Sequence, residues 1–174
     1  MMKKAFPLLA TVLLGLLGGC GPFWVDPYIT VQESALNWVH INYYNLNHKP
    51  IRRTSVYISG GGLVEVKKGT SELVSNDFAK RYGEDTWGNI RTSTFHITPK
   101  QAHDIFQELV NNGLLDREKT FKASKEETQD RFIAVKANIN TNTYSDNVNI
   151  FNDDPDLAEL LLDVVREFEN PALR

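Results

Sequence analysis

The sequence predicts an α+β domain: an antiparallel sheet of five to six strands with two amphipathic helices on one face. Three observations carry this. Period-two alternation runs through 53–59, 63–67 and 131–140, with Gly60-Gly61-Gly62 joining the first two of these runs. Apolar stripes at helical spacing occupy 99–112 and 155–169. The order strand, hairpin, strand, helix, hairpin, helix makes the strand pairing antiparallel and leaves two one-sided helices to cover one sheet face.

Each element has a local reason. Residues 37–44 (NWVHINYY) are mostly strand formers, and NLNHKPIR after them reads as a loop. In 53–59, Thr54, Val56 and Ile58 alternate with Ser55, Tyr57 and Ser59; Val64 and Val66 share one face of the return strand. Residues 69–89 are polar and mixed, and Val74, Phe78 and Tyr82 recur at a spacing that suits a short helix closed by Gly83. A strand is expected over 90–97. Thr98, Pro99 and Gln101 supply an N-cap, a first-turn proline and the third-position partner of a capping box. Ala102, Ile105, Phe106, Leu109 and Val110 form the stripe of that helix, Gly113 stops it, and Leu114 and Leu115 tuck beneath it. Residues 116–130 are charged and loop-like. Ile133, Val135, Ala137 and Ile139 define the next strand, NTNTYSD (140–146) reads as turn chemistry, and 148–151 as the return strand. Asp153, Asp154 and Pro155 open the last helix, whose stripe is Leu157, Leu160, Leu161, Val164, Val165 and Phe168.

The amino terminus carries a different kind of information. Lys3 and Lys4 precede an uncharged apolar run of thirteen residues, 5–17, which ends in Leu17-Gly18-Gly19-Cys20. A helix needs about 20 residues to cross a bilayer, so this run suits the core of a signal peptide. The tetrapeptide resembles the lipobox of bacterial lipoproteins: a branched apolar residue, two small residues, then cysteine. The resemblance implies that 1–19 are removed and that Cys20 becomes a diacylglyceryl-modified, N-acylated (palmitate-type) terminus. Three acyl chains exceed what stable anchoring requires. Gly21 occupies the second mature position, where the family uses aspartate for inner-membrane retention. The expected location is the cell envelope, in the inner leaflet of the outer membrane if the organism has two membranes. The expected organisation is a cleaved leader at 1–19, a lipidated tether at 20–33 and one domain at 34–174. Because Tyr28, Ile29 and Val31 are too apolar for a free linker, the later part of this segment is expected to pack onto the domain.

Composition narrows the function classes. Cleavage before Cys20 leaves 155 of the 174 residues and removes Lys3 and Lys4, so 17 basic side chains face 22 acidic ones, a net charge of −5. An acidic chain without a basic cluster in its sequence argues against nucleic acid. Cys20 is the only cysteine, so once it is lipidated no disulfide, zinc-thiolate site or cysteine nucleophile is available. His40, His48, His96 and His103 fall in no ligand spacing, and no metal or cofactor is expected. Asp146, Asp153, Asp154 and Asp156 are explained by helix capping and do not follow a calcium loop. The Gly60–Gly62 run leads into a strand and not a helix, so it is a turn and not a phosphate cradle. Glu65 and Asp104 have no carboxylate pair, and nothing assembles into a nucleophile, base and orienting group.

Alternation also assigns faces. With Val39, Ile41, Val56, Ile58, Val64, Val66, Ile133, Val135, Ile139, Val148 and Ile150 toward the helices, the opposite face carries Trp38, His40, Tyr44, Tyr57, Leu63, Phe132 and Phe151. This aromatic surface either binds a partner, such as an envelope protein, or is covered by 23–36. The expected role is a membrane-anchored binding module. The alternatives are an envelope enzyme or small-ligand protein with a site in loops 69–89 and 116–130, involving Tyr82, Trp87, His96 and His103, and a structural envelope lipoprotein.

Overall fold

A computed structural model describes residues 29–71, 87–115, 131–148 and 155–170. The strands are β1 Trp38–Asn45, β2 Ile51–Ser59, β3 Leu63–Ser71, β4 Trp87–His96, β5 Arg131–Ile139 and β6 Asn142–Val148; the helices are α1 Pro99–Asn111 and α2 Pro155–Glu169. All six strands form one antiparallel sheet in the order β4-β3-β2-β1-β5-β6. The predicted α+β architecture is therefore the observed one. β1, first in the chain, sits inside the sheet between β2 and β5.

The core lies between one sheet face and the two helices. Val39, Ile41, Val56, Ile58, Val64, Val66, Ile133, Val135 and Ile139 are buried there against Phe106 and Leu109 of α1 and Leu157, Leu161 and Phe168 of α2. α2 lies across β1 and β2 and touches α1. Phe168 reaches β4, where its ring stands 5.6 Å from that of Phe95.

Local chemistry sets the element ends. The Thr98 hydroxyl accepts from Gln101 N–H at 3.1 Å, and Gln101 Oε1 accepts from Thr98 N–H at 2.9 Å, which completes the capping box. Gly113 has φ +95°; the N–H groups of Gly113 and Leu114 return to Val110 and Leu109 at 3.0 Å each, and Leu114 is buried. That is a Schellman ending with its hydrophobic contact. Gly62 has φ +87°, and a side chain there would strike the carbonyl of Ile97.

Several boundaries differ from the expected ones. β6 begins at Asn142, because Asn140 (φ +52°) and Thr141 (φ +66°) alone close a two-residue turn of the primed type. The polar run that follows is an edge strand and not an extended turn. β3 continues to Ser71 through a register shift between Lys68 and Thr70, and β4 starts at Trp87 instead of residue 90. β2 starts at Ile51 instead of 53. The expected helix around 74–82, the loop at 116–130 and the strand residues beyond 148 lie outside the described residues.

Residues 29–37 strap onto one end of the domain. Val31 is buried in the core. Its N–H donates to Gln107 Oε1 at 2.8 Å, and Gln107 Nε2 donates to the Ile29 carbonyl at 3.0 Å. Asn140 accepts from Gln32 N–H at 2.7 Å and donates to the Thr30 carbonyl at 2.8 Å. Asn37 donates to the Gln32 carbonyl at 2.7 Å. The segment is thus tied down by hydrogen bonds from residue 29 onward and by the burial of Val31, while Ile29 and Leu36 remain exposed.

Candidate functional site

Cross-strand register arranges the helix face in rows. Ala137–Val39–Ile58–Val64–Phe95 and Val135–Ile41–Val56–Val66–Ser93 lie beneath the helices. The next row is Ile133–Tyr43–Thr54–Lys68–Arg91, and the last is Arg131–Asn45–Arg52–Thr70. The face therefore turns from apolar to cationic toward one end of the sheet. The last turn of α2 closes over that end. Lys68 Nζ donates to the Glu169 main-chain carbonyl at 2.5 Å and pairs with its carboxylate at 3.5 Å, and the Thr54 hydroxyl lies 3.5 Å from the same carboxylate.

Between the helix end and the strands is an open cleft of about 890 Å³, lined by Tyr43, Arg52, Lys68, Arg91, Arg131, Arg166 and Glu169 among others. Glu169 is the only acidic residue among the described residues that line it. Lys68 is committed to Glu169, and Arg166 to Asp163 at 2.9 Å and Glu159 at 3.3 Å. Arg52, Arg91 and Arg131 are exposed and have no ion-pair partner among the described residues. Burial raises the Tyr43 hydroxyl's pKa above its ordinary value; Arg131 works against that shift and Glu169 adds to it. The cleft is thus a cationic site on an acidic chain, with hydroxyl and amide groups between its charges.

The opposite face carries a second charged centre with the reverse character. Arg53 is 5% exposed. Its guanidinium lies 4.0 Å from the Trp87 ring centroid and 5.0 Å from that of Tyr44, a cation between two π faces. Gly69 makes room: it pairs with Arg53 in the register, and a Cβ there would come within 2.6 Å of the Gly88 carbonyl and 3.3 Å of the Trp87 ring. Arg53 Nη2 donates to Asn42 Oδ1 at 2.7 Å, which orients the amide so that Asn42 Nδ2 faces His40 Nε2 at 3.4 Å. The Ser55 hydroxyl completes the network, 2.7 Å from the same nitrogen. His40 Nε2 therefore acts as an acceptor, and the ring is neutral. Its pKa falls to about 4, first through burial, then through the positive charges of Arg53, Lys67 and Lys136, against a smaller opposing effect of Glu65.

A serine hydroxyl on a neutral imidazole nitrogen is the beginning of a nucleophile–base pair. Here Ser55 is 4% exposed and lies between buried Asn42 and Arg53, so a substrate carbonyl has no approach to it. The contact satisfies a buried polar group.

The predicted aromatic face is divided by the structure. Trp38, His40 and Tyr57 form a half-buried cluster, with Tyr57 centred 6.2 Å from each of the other two rings. Tyr44 and Phe132 are buried with Ile51 and Ala134, their rings 6.1 Å apart. Of the face expected either to bind a partner or to be covered, these two side chains are not available as surface. Leu63 is exposed beside β4, and Phe151 lies outside the described residues. Of the alternative site, Trp87 is engaged with Arg53 and His96 is exposed at the end of β4. His103 lines a separate pocket of about 260 Å³ between the strap, the Gly60–Gly61 turn and α1, where its Nδ1 is buried with no hydrogen-bond partner among the described residues. The residues are thus not brought together as one site; Tyr82 and Cys20 lie outside the described residues. Among the described residues no three His, Cys, Asp or Glu side chains are placed to hold a metal, and no helix is long and apolar enough to cross a membrane.

The cationic cleft was missed by sequence reasoning. Arg52, Arg91 and Arg131 are far apart in the chain, and net charge conceals them. Only strand order and register bring them to one end of the sheet. No protein-family model matches this chain, and no curated protein matches it.

Proposed function

We propose that this chain is a lipid-anchored protein of the bacterial cell envelope whose domain works by binding. The observation that carries the binding role is the cleft at the end of the sheet. It is open, and apart from Glu169, which Lys68 holds, the charges that the described residues bring to it are positive and spread over several strands. Among the described residues it holds no nucleophile–base pair, and their one serine–imidazole contact is buried on the other face. Such a site suits recognition better than bond-making.

The anchor is supported by the lipobox resemblance at Leu17-Gly18-Gly19-Cys20. The nine chain steps from Cys20 to Ile29 span at most about 30 Å, so the strapped end of the domain stays near the membrane that holds the lipid. Gly21 favours the outer membrane's inner leaflet where there are two membranes.

Two measurements test the reading. Cys20→Ala should leave an uncleaved precursor or release the protein to a soluble fraction; a processed variant that still sediments with membrane refutes the anchor. Crosslinking in intact cells should recover a defined partner from the envelope. Repeated failure to recover one under several growth conditions refutes the binding role.

A further inference from the structure

We propose that the cationic cleft takes an extended acidic segment of a partner protein. This rests on the domain being a binding module, though not on its lipid anchor.

The geometry points to an extended ligand. Arg131 on β5, Arg52 on β2 and Arg91 on β4 are each two strands apart in the sheet order. With strands about 4.8 Å apart, Arg131 and Arg52 are about 10 Å apart; Arg91 stands one row nearer the helices, about 12 Å from Arg52, and the set spans about 20 Å. In a polypeptide extended as polyproline II, residues three apart share one face and are separated by about 9 Å. Acidic side chains at that spacing meet successive guanidinium groups, whose planar forks suit carboxylates. Asn45 lies between Arg131 and Arg52 in the register, and Thr70 on the far side of Arg52, where their amide and hydroxyl can meet a bound main chain. A single compact phosphate would instead call for convergent donors, often main-chain N–H groups at a helix N-terminus. Here the helix end over the cleft is a C-terminus, which presents carbonyls and no cradle of N–H groups, and its Glu169 is already held by Lys68.

Position sets the cleft apart from the tethered end of the domain. The strap is held at the Asn37 and Asn140 end of β1 and β5, and the cleft lies at the Asn45 and Arg131 end. The eight residues of β1 separate the two by about 23 Å. The cleft faces away from the tethered end, toward whatever approaches from the other side.

The experiment uses the membrane-extracted protein in detergent and a fluorescein-labelled twelve-residue polyglutamate, read by anisotropy at low and near-physiological salt. The expected result is saturable binding that weakens as salt rises and falls about tenfold or more in Arg52→Glu/Arg131→Glu. Lys136→Glu, on the opposite face, should bind like the parent, and all three proteins should share one thermal transition within a few degrees. Equal loss in Lys136→Glu overturns the proposal, because the attraction is then general. Displacement of the peptide by equimolar inorganic pyrophosphate overturns it in favour of a compact anion. Equally tight binding of a Cys20→Ser form to phosphatidylglycerol vesicles overturns it in favour of a membrane surface. No binding to polyglutamate overturns it outright. If a cellular partner is still crosslinked by the Arg52→Glu/Arg131→Glu variant, the binding role stands and the cleft assignment alone is lost.

Discussion

Arg52 and Arg53 are neighbours in the chain and opposites in the fold. One pleat step puts Arg52 on the helix face, exposed in an open cleft without a carboxylate partner among the described residues. It puts Arg53 on the other face, 5% exposed, between the rings of Tyr44 and Trp87 and hydrogen-bonded to Asn42. The exposed charge keeps its hydration and its reach, and is available to a ligand. The buried one has given up water for two π faces and a network, and its service is to the fold. The same residue type stays hydrated at the surface or serves the fold according to what compensates its desolvation.

The comparison is tested most severely by removing each charge in turn. Arg53→Met should cost about 3 kcal/mol in chemical denaturation, because Asn42 and the facing rings lose a buried partner. Arg52→Met should stay within about 0.5 kcal/mol of the parent. Equal costs would erase the distinction between the faces.

Acid should reveal the buried face next. Folded, His40 stays neutral down to about pH 4; unfolded, it protonates near its ordinary 6.5. The unfolded state then binds more protons between these values, so the stabilisation is complete above about pH 6.5 and declines as pH falls toward 4. The loss amounts to at most about 3 kcal/mol. His40→Gln should show a shallower decline over that window when stability is followed by urea titration at a series of pH values. An unchanged slope would mean that the imidazole is not held neutral.

Gly69→Ala should cost about 1–2 kcal/mol, since its methyl would press on the Gly88 carbonyl and the Trp87 ring, and should change Trp87 fluorescence. A neutral result would show that the indole does not need the bare backbone. The smallest effect belongs to the cleft: Lys68→Met should cost less than about 1 kcal/mol, because its pair with Glu169 is partly exposed. A larger loss would make that pair a structural feature like Arg53.

What could be read from the sequence follows the same division. Alternation in 53–59 and 131–139 gave the core face, and Thr98, Pro99 and Gln101 placed the start of α1 where it is. These signals are local, and the physics behind them acts within a few residues. The extension of β3 past Gly69 was hidden because a glycine amid lysines and threonines reads as loop, while the structure uses it in a bulge beneath an indole. β6 was hidden because its polar residues fit an edge strand as well as a turn. Arg53 carries no sign of burial in its own segment; its rings come from β1 and β4. The cleft depends wholly on strand order, since residues 52, 91 and 131 meet only through the pairing of β2 with β1 and β3, β1 with β5 and β3 with β4.

The strap also has a mechanical meaning. A pull on the chain at Ile29 meets side-chain clamps one after another: Gln107 at Ile29 and Val31, then Asn140 at Thr30 and Gln32, then Asn37. Loaded singly, such bonds peel in sequence at low force, each contributing about 1 kcal/mol. Behind them the same chain enters β1, which is held along its length by β2 on one side and β5 on the other. Drawing β1 out requires both ladders to shear together. Tension arriving from the amino-terminal side would therefore lengthen the strap before it reached the sheet, while the cleft kept its shape.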